Sequence, residues 1–432
     1  MQKLLAIFLL LFGKIMLSQQ APAVEVVSIS LSQAEEQFLK NNYLLLAQKY
    51  NVDAAKAMVR QAGLFNNPNI YYENSVYNRY NKQYFPTMLG KLGDPSTQGE
   101  FIVQYNWLFN IAGKRGKQVK VAKAQAEAAQ YQFDDLIRSL VFALRTDFYQ
   151  LYYGQKSLEL FDEEITSLTS IVTGFEELYK KGSISLRDLT RVRALLFSLQ
   201  NDRLALYNEL QEINKEFSIL LNNAKAVSYK PQFNEADVNT KYTQAKITFA
   251  DLLAQALQSR PDLKAAQAQL TSAEANLKLQ KAIAVPDIMA QGVFDRNGSY
   301  IPNYSSVALS VPLAIFNRNQ GNIQAAKSYV DAATQQMQLK QTTVQNDVLV
   351  SFQKVLETEK LNNLTSPDFA KDFNEVIAGA KSNYEKKNMS LLEFVDLFET
   401  YKVTMVQQNK IKSQRITAYE ELSFSVGKDL FK

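Results

Sequence analysis

Two windows of the chain alternate strictly between apolar and small or polar positions. In Phe101–Phe109, FIVQYNWLF, residues Phe101, Val103, Tyr105, Trp107 and Phe109 share one face, and Ile102, Gln104, Asn106 and Leu108 the other. In Ser306–Ile315, residues Val307, Leu309, Val311, Leu313 and Ile315 lie opposite Ser306, Ala308, Ser310, Pro312 and Ala314. Period two predicts strands. Weaker strands are predicted over Ile70–Asn78, rich in Tyr, and Ile288–Arg296. Most of the rest reads as helix. Helices Ser32–Leu64 and Phe249–Ala284 each end at an X-Pro step, where the residue before proline is pushed out of the α region. Very long helices follow over Gly116–Lys181 and Asn322–Lys387, and helices Leu186–Leu221 and Leu391–Val426 run back. Pro367 predicts a kink or break in the second long helix.

The plan is duplicated. Leu31–Ile70 aligns with Phe249–Ile288 at an offset of 218, pairing Leu45 with Leu263 and Pro68 with Pro286. Ala122-Lys123 meets Ala326-Lys327 at 204, and YKKGSISLRDL from Tyr179 meets YEKKNMSLLEF from Tyr384 at 205. The order of the three blocks is the same in both halves, which chance similarity between Ala-rich helices does not give. The expected division is a segment 1–23, a first repeat 24–222, a linker 223–247 and a second repeat 248–432.

A helix of some 65 residues spans on the order of 100 Å at ~1.5 Å per residue. That length suits a coiled coil, a bundle or a tube. Strands of about 9–11 residues cross a bilayer at a tilt, and an apolar face opposite a small or polar one is the pattern of a barrel wall around water. A soluble sheet covering a helix bundle has the same local pattern. Four strands cannot close a water-filled barrel, and open edges are prohibitive in lipid. In the membrane reading several chains share one barrel, three copies giving about 12 strands. The segments NIAGKRG (110–116) and FNRNQG (316–321) then stand where sheet becomes helix, with Gly permitting the unusual φ.

Composition removes whole classes of chemistry. There is no Cys and no His, so disulfides, thiol nucleophiles, imidazole bases and the usual zinc ligands are out. Net charge is +5 from nearly balanced acids and bases, which does not favour nucleic acid. The N-terminus has Lys3, an apolar run Leu4–Phe12 and small or polar residues near Ser18. This is the pattern of a secretory signal cleaved after Ser18 or Ala23. No Cys follows the run for a lipid anchor, and no later segment has about 18 consecutive apolar residues.

Several stretches together resemble the TolC family of outer-membrane efflux proteins. PLAIFNRNQGNIQAAK (312–327) and GKRGKQVKVAKA (113–124) resemble its two sheet-to-helix junctions, the former as in the heavy-metal, cobalt–zinc–cadmium branch. LLLAQKYNVDAAKAMVRQAGLFNNPNI (44–70) resembles the helix entering the first strand, and YKKGSISLRDL and YEKKNMSLLEFVD the two periplasmic tip turns. The resemblance covers essentially the whole mature chain. It implies a mainly α fold with a transmembrane β-barrel portion: a homotrimer whose 12-stranded barrel, four strands per chain, continues into a periplasmic α-helical barrel. Such trimers sit in the outer-membrane lipid and join a periplasmic adaptor and an inner-membrane efflux pump, so the chain is a passive exit duct without cofactor. The lipid-facing positions are then the ten apolar residues of the two alternating windows.

The resemblance further implies that the adaptor contacts Lys181, Gly182, Ser183, Ile184 and Ser185 at one tip, and Lys387, Asn388, Met389 and Ser390 at the other. Gly182 keeps the family's glycine. Asn388 stands near that place in the second tip and tolerates the left-handed region. The family's pore-facing acids match Glu393 and Asp396, one helix face at i, i+3, with Asp188 the first-repeat counterpart of Glu393. In a trimer these make acidic rings that favour cations; an ordinary solvated helix face has the same composition. Metal ions are the implied cargo, although the scattered Met residues offer no soft-ligand pair. An enzyme lacks support: GKRGK lacks the GK[ST] ending of a phosphate loop. The rival reading is an exported periplasmic coiled-coil adaptor or spacer.

Overall fold

The structure is a computed structural model and describes residues 25–79, 82–86, 101–223, 225, 227–242, 248–296, 301, 303–364, 375–376, 379, 383–384, 386 and 388–431. The expected signal 1–23, most of the loop 81–99, the break at Pro367 and the tip residue Lys387 lie outside these residues. The chain forms two compact units. One comprises residues up to Leu46, Leu136–Arg260 and those from Val344 on; the other comprises Ala47–Asp135 and Pro261–Thr343. Each unit draws on both halves of the chain.

The first unit opens with β1 (Glu25–Ile29) and α1 (Leu31–Asn41). The single helix expected over Ser32–Leu64 is two, α1 and α2 (Tyr43–Ala62). Asn42 breaks it: its backbone is extended (φ −64, ψ 119), and its Oδ1 accepts from the amides of Leu44 and Leu45 at 3.0 and 3.1 Å. The side chain thus caps the start of α2. The second repeat breaks at the matching residue, 218 positions on. There Arg260 (φ −60, ψ 120) precedes Pro261 between α6 (Phe249–Ser259) and α7 (Pro261–Ile283), as the pre-proline rule requires.

Helix α3 (Lys114–Lys180) runs unbroken for 67 residues and α4 (Leu186–Leu220) follows it. The expected linker 223–247 holds β6 (Val227–Pro231) and α5 (Glu235–Lys241). β6 pairs in parallel with β1, Glu25 opposite Val227. The second long helix, α8 (Gln320–Leu364), is described to Leu364, and α9 (Leu391–Val426) ends at Gly427 in the left-handed conformation, φ 75.

Around β6 and α5, Phe148, Phe217, Tyr229, Tyr242 and Tyr419 are buried. Arg145 enters this core. Its guanidinium reaches Glu35 at 2.6 Å, Glu420 at 2.9 Å and Asp429 at 3.5 Å, and the Tyr242 hydroxyl donates to the second Glu420 oxygen. Burial opposes the charge on Arg145, but Glu420 and Glu35 together outweigh it and raise its pKa.

Asp147, two residues further along α3, is also buried. Burial, with Glu216 adding, pushes its carboxyl up to about 7. The fold therefore favours the neutral acid. Its contribution to stability is full below the unfolded-chain value near 4 and is lost as pH rises through about 7. Denaturation midpoints should fall across that window in the native protein, and Asp147→Asn should flatten this part of the profile. Parallel profiles for the two proteins would contradict the assignment.

The second unit holds a four-stranded antiparallel sheet in the order β2 (Asn69–Asn74), β5 (Phe101–Phe109), β7 (Ile288–Asp295), β8 (Tyr304–Ser310). The expected strand Ile70–Asn78 stops at Asn74. Tyr77 and Asn78 form β3 and pair instead with β4 (Gln83–Tyr84).

The expected strand through Ile315 stops at Ser310. Pro312 has no amide to donate to a ladder, and the Ile315 amide turns back to the Leu313 carbonyl at 2.9 Å. Val311, Leu313 and Ile315 therefore lie past the strand, exposed. At the junctions, Gly113 has φ 65 as expected, but Ala112 shares the turn with φ 55. In the second junction the left-handed residue is Asn319, φ 58, and not Gly321, which is already helical. The Asn319 side-chain amide donates to the Gln280 carbonyl at 2.8 Å, fixing α8 to the end of α7.

Candidate functional site

Register decides what each face of the sheet presents. Residues directly opposite in neighbouring strands share a face. One row across the sheet is Ile70, Tyr105, Gly292 and Val307; the next is Tyr72, Val103, Phe294 and Ser305. Trp107, Ala290 and Leu309 make a third row on the same face. The other face carries Tyr71, Gln104, Val293 and Ser306 in one row and Asn69, Asn106, Gln291 and Ala308 in the next. Gln291 donates to Gln104 across that face at 3.0 Å. The pairing thus collects the apolar positions of four strands, far apart in the chain, on one side.

No residue of β2, β5, β7 or β8 is buried on either face. Val307 is 85% exposed and Leu309 73%. A soluble sheet covers a core with its apolar face; this one covers none within the protomer. Among the described residues its outer strands, β2 and β8, each have one neighbour in the sheet. Among the described residues no helix is long and apolar enough to cross a membrane.

The helix tips lie in the other unit. After α3 the Ser183 amide donates back to the Leu178 carbonyl at 2.9 Å, closing the turn through Gly182 at φ 71. In the second tip the Asn388 amide donates to the Asn383 carbonyl at 2.8 Å. The offset is again 205, so Asn388 matches Ser183 rather than Gly182. The residue in the glycine's place is Lys387.

Both turns end in a serine cap. Ser185 Oγ accepts from the Asp188 amide at 3.1 Å and donates to its carboxylate at 2.7 Å. Ser390 Oγ accepts from the Glu393 amide at 3.3 Å, and the Ser390 amide donates to Glu393 at 2.8 Å. These hydrogen bonds hold both carboxyls below the usual range: for Asp188 the Ser185 side chain leads, for Glu393 the Ser390 backbone. Each acid therefore serves as the reciprocal partner of its cap, a role that Ser-x-x-Asp and Ser-x-x-Glu announce in the sequence. Asp396, one turn on, is exposed and takes no part in the cap.

Ile184 and Met389, just before the caps, pack half-buried against a core that includes Leu189, Phe394 and Phe398. Tyr384 stacks on Phe175 at 5.6 Å and meets Phe394 at 5.0 Å. Burial, with the Asp188 charge adding, pushes its hydroxyl up to about 12. Lys181, Gly182, Ser183, Asn388 and Ser390 remain exposed. Nothing lies within 4 Å of a Cβ added to Gly182, so Gly182→Ala meets only backbone strain, about 1–2 kcal/mol. Amide exchange at this tip should quicken while the global unfolding midpoint stays put, and Gly182→Asn should do less. A fall in the global midpoint of the same size would contradict a local effect.

Among the described residues no group of three or more His, Cys, Asp or Glu is placed to hold a metal ion. A cleft of about 580 Å³ lies between α3, α4 and α9, with Tyr153, Leu206 and Val406 in its wall and the Lys402–Asp202 pair, 2.8 Å apart, at its rim.

The sequence model of the outer membrane efflux protein family matches residues 35–223 and 252–428. The chain is similar to the cobalt-zinc-cadmium resistance protein CzcC of Cupriavidus metallidurans, 21% identical over 301 residues, 69% of this chain and 70% of that one. It is 22% identical over 342 residues to the nickel-cobalt-cadmium resistance protein NccC of Alcaligenes xylosoxydans xylosoxydans, covering 76% and 69%. Its fold superposes on the Campylobacter jejuni CmeC outer membrane channel with a TM-score of 0.74 at 16% identity, over 93% of this chain and 86% of that one. The chain belongs to the outer membrane efflux protein family, the TolC-like proteins of the cell outer membrane.

Proposed function

We propose that the protein is a passive exit duct of a tripartite efflux system. Three copies complete one outer-membrane barrel of about 12 strands, and their helices form an α-helical barrel in the periplasm. The observation that carries the reading is the four-stranded sheet with one apolar face, no residue buried and two open edges. Lipid on the apolar face and neighbouring copies at the edges supply what the protomer lacks. Phe101, Val103, Tyr105, Trp107, Phe109, Val307 and Leu309 then face lipid, with Val311, Leu313 and Ile315 at the rim of the wall.

A periplasmic adaptor grips the exposed residues of the two tips, and an inner-membrane pump supplies the energy. The relatives' resistance to cobalt, zinc, cadmium and nickel supports metal cations as cargo. Asp396 and Glu393, with Asp188 beside them, form acidic rings near the mouth of the duct. Glu393 plays two parts there, because its cap keeps it ionised.

The test is conductance of the purified protein in planar bilayers with no pump, adaptor or nucleotide present. Ohmic, cation-selective channels are expected. Asp396→Asn with Glu393→Gln should lower the cation preference severalfold, since these residues supply the rings' charge. Absence of any conductance, together with release of the protein from membranes by carbonate, would support the adaptor reading instead.

A further inference from the structure

The helical end of the sheet unit carries a one-sided charge. The four segments that leave or enter the sheet there, Lys56–Ile70, Phe109–Lys123, Ala275–Ile288 and Ser310–Lys327, hold eleven Lys and Arg and a single acid, Asp287. That acid is already paired with Lys114 at 2.8 Å. The whole chain is nearly balanced, at 48 basic and 43 acidic residues, so the bias is local. At the sheet's other end, among the described residues, Glu73 and Asp295 accompany Arg79, Lys82 and Arg296.

The helix dipole does not explain the bias, although Lys114 pairs with Asp287 and Lys117 Nζ donates to the Ala112 carbonyl within the junction. Lys114, Arg115 and Lys117 occupy the first turn of α3, which holds no acid; the helix dipole there favours anions over cations.

A second feature lies between the sheet and this charge. Leu64, Phe65, Leu313 and Phe316 are exposed, Leu313 by 80% and Phe316 by 90%. The Arg115 guanidinium stacks 3.6 Å from the centre of the exposed Phe65 ring. Stacking leaves the in-plane N–H groups available to an anion, and a guanidinium suits a phosphate bidentately. Arg60, Lys120, Lys278, Lys281 and Arg318 in the same four segments are also exposed. Along the first, third and fourth segments the order is apolar strand, exposed apolar residues, then cations; in the second, only the half-buried Ile111 stands between Phe109 and the cations. A leaflet has the same order: acyl chains, glycerol level, then phosphates.

We propose that this basic collar binds the phosphates of anionic phospholipids in the leaflet on the helical side of the barrel, setting its depth in the bilayer. The proposal rests on the reading of the sheet as a membrane wall, and its test separates the two. The purified protein is reconstituted into vesicles of phosphatidylcholine alone or mixed with phosphatidylglycerol. It is then extracted, and its retained lipids are counted by native mass spectrometry. Insertion into both vesicle types is expected, with phosphatidylglycerol enriched on the protein and the enrichment abolished in high salt.

At roughly fivefold per cation near a charged surface, neutralising Arg115, Lys120, Lys281 and Arg318 to Gln together should cut the enrichment at least about tenfold. The charge-keeping set Arg115→Lys, Lys120→Arg, Lys281→Arg and Arg318→Lys should retain it. Insertion without enrichment, or enrichment that survives high salt, overturns the collar and leaves the wall standing. Failure of the native protein to insert into either vesicle overturns both.

Discussion

Val307→Arg is expected to abolish the assembled, membrane-inserted protein, while Ser306→Arg, one residue away, is tolerated. The two positions are adjacent in the middle of β8 and point to opposite faces. Val307 sits opposite Gly292, in the row with Tyr105, on the apolar face; Ser306 sits opposite Val293, beside Gln104, on the polar one. An arginine on a lipid face costs ~2–4 kcal/mol near the midplane and little on the water-filled side. Three copies in one barrel would bear the cost three times. Heat-modifiable oligomer in the membrane fraction is the readout. Equal loss for the two variants would contradict the assignment of faces.

Arg145→Met should produce the largest loss of stability in the helical unit, about 3–5 kcal/mol, the usual cost of breaking a buried ion pair. The reason is what it leaves behind. Glu420 is only 4% exposed, and with Arg145 gone its carboxylate keeps the Tyr242 hydroxyl but loses its cation. Glu35 and Asp429 lose a partner nearer water. The chemical denaturation midpoint of the purified protein measures the loss. Adding Glu420→Gln to Arg145→Met should recover a large part, because the stranded charge goes with it. A single variant within about 1 kcal/mol of native, the scale of a surface pair, would contradict a buried network.

The legible parts of this fold are those that local pattern determines. Leu391–Val426 has its boundaries in the sequence because Ser390 caps it, Glu393 completes the cap, and Gly427 ends it. Phe101–Phe109 is legible as a strand because five large residues alternate without interruption. The break at Asn42 is harder to read: the apolar spacing continues through it, and only the side-chain cap turns the backbone. Its twin at Arg260 also interrupts an expected single helix, Phe249–Ala284, although there the following Pro261 forbids the helical conformation at Arg260. The β1–β6 pair leaves almost no local trace, since two five-residue strands about two hundred positions apart find each other only in the folded unit.

The tips divide in the same way. Their turns are visible at an offset of 205, and the Ser-x-x-Asp and Ser-x-x-Glu spacings carry the cap duty of Asp188 and Glu393, which the serines fulfil by accepting from their amides. Ile184 and Met389 look like surface residues of a turn, yet they pack on the core behind it. Neither face of the sheet is covered in the protomer, so no contact within one chain could have identified its apolar side as a membrane wall. That meaning lies in what the protomer lacks.

The most direct test of the central claim is single-particle imaging of the protein extracted from membranes in detergent. Threefold-symmetric particles that require detergent to stay in solution are the predicted result. Monomers recovered without detergent would contradict it, because the apolar sheet face would then have to lie in water with both edges unpaired.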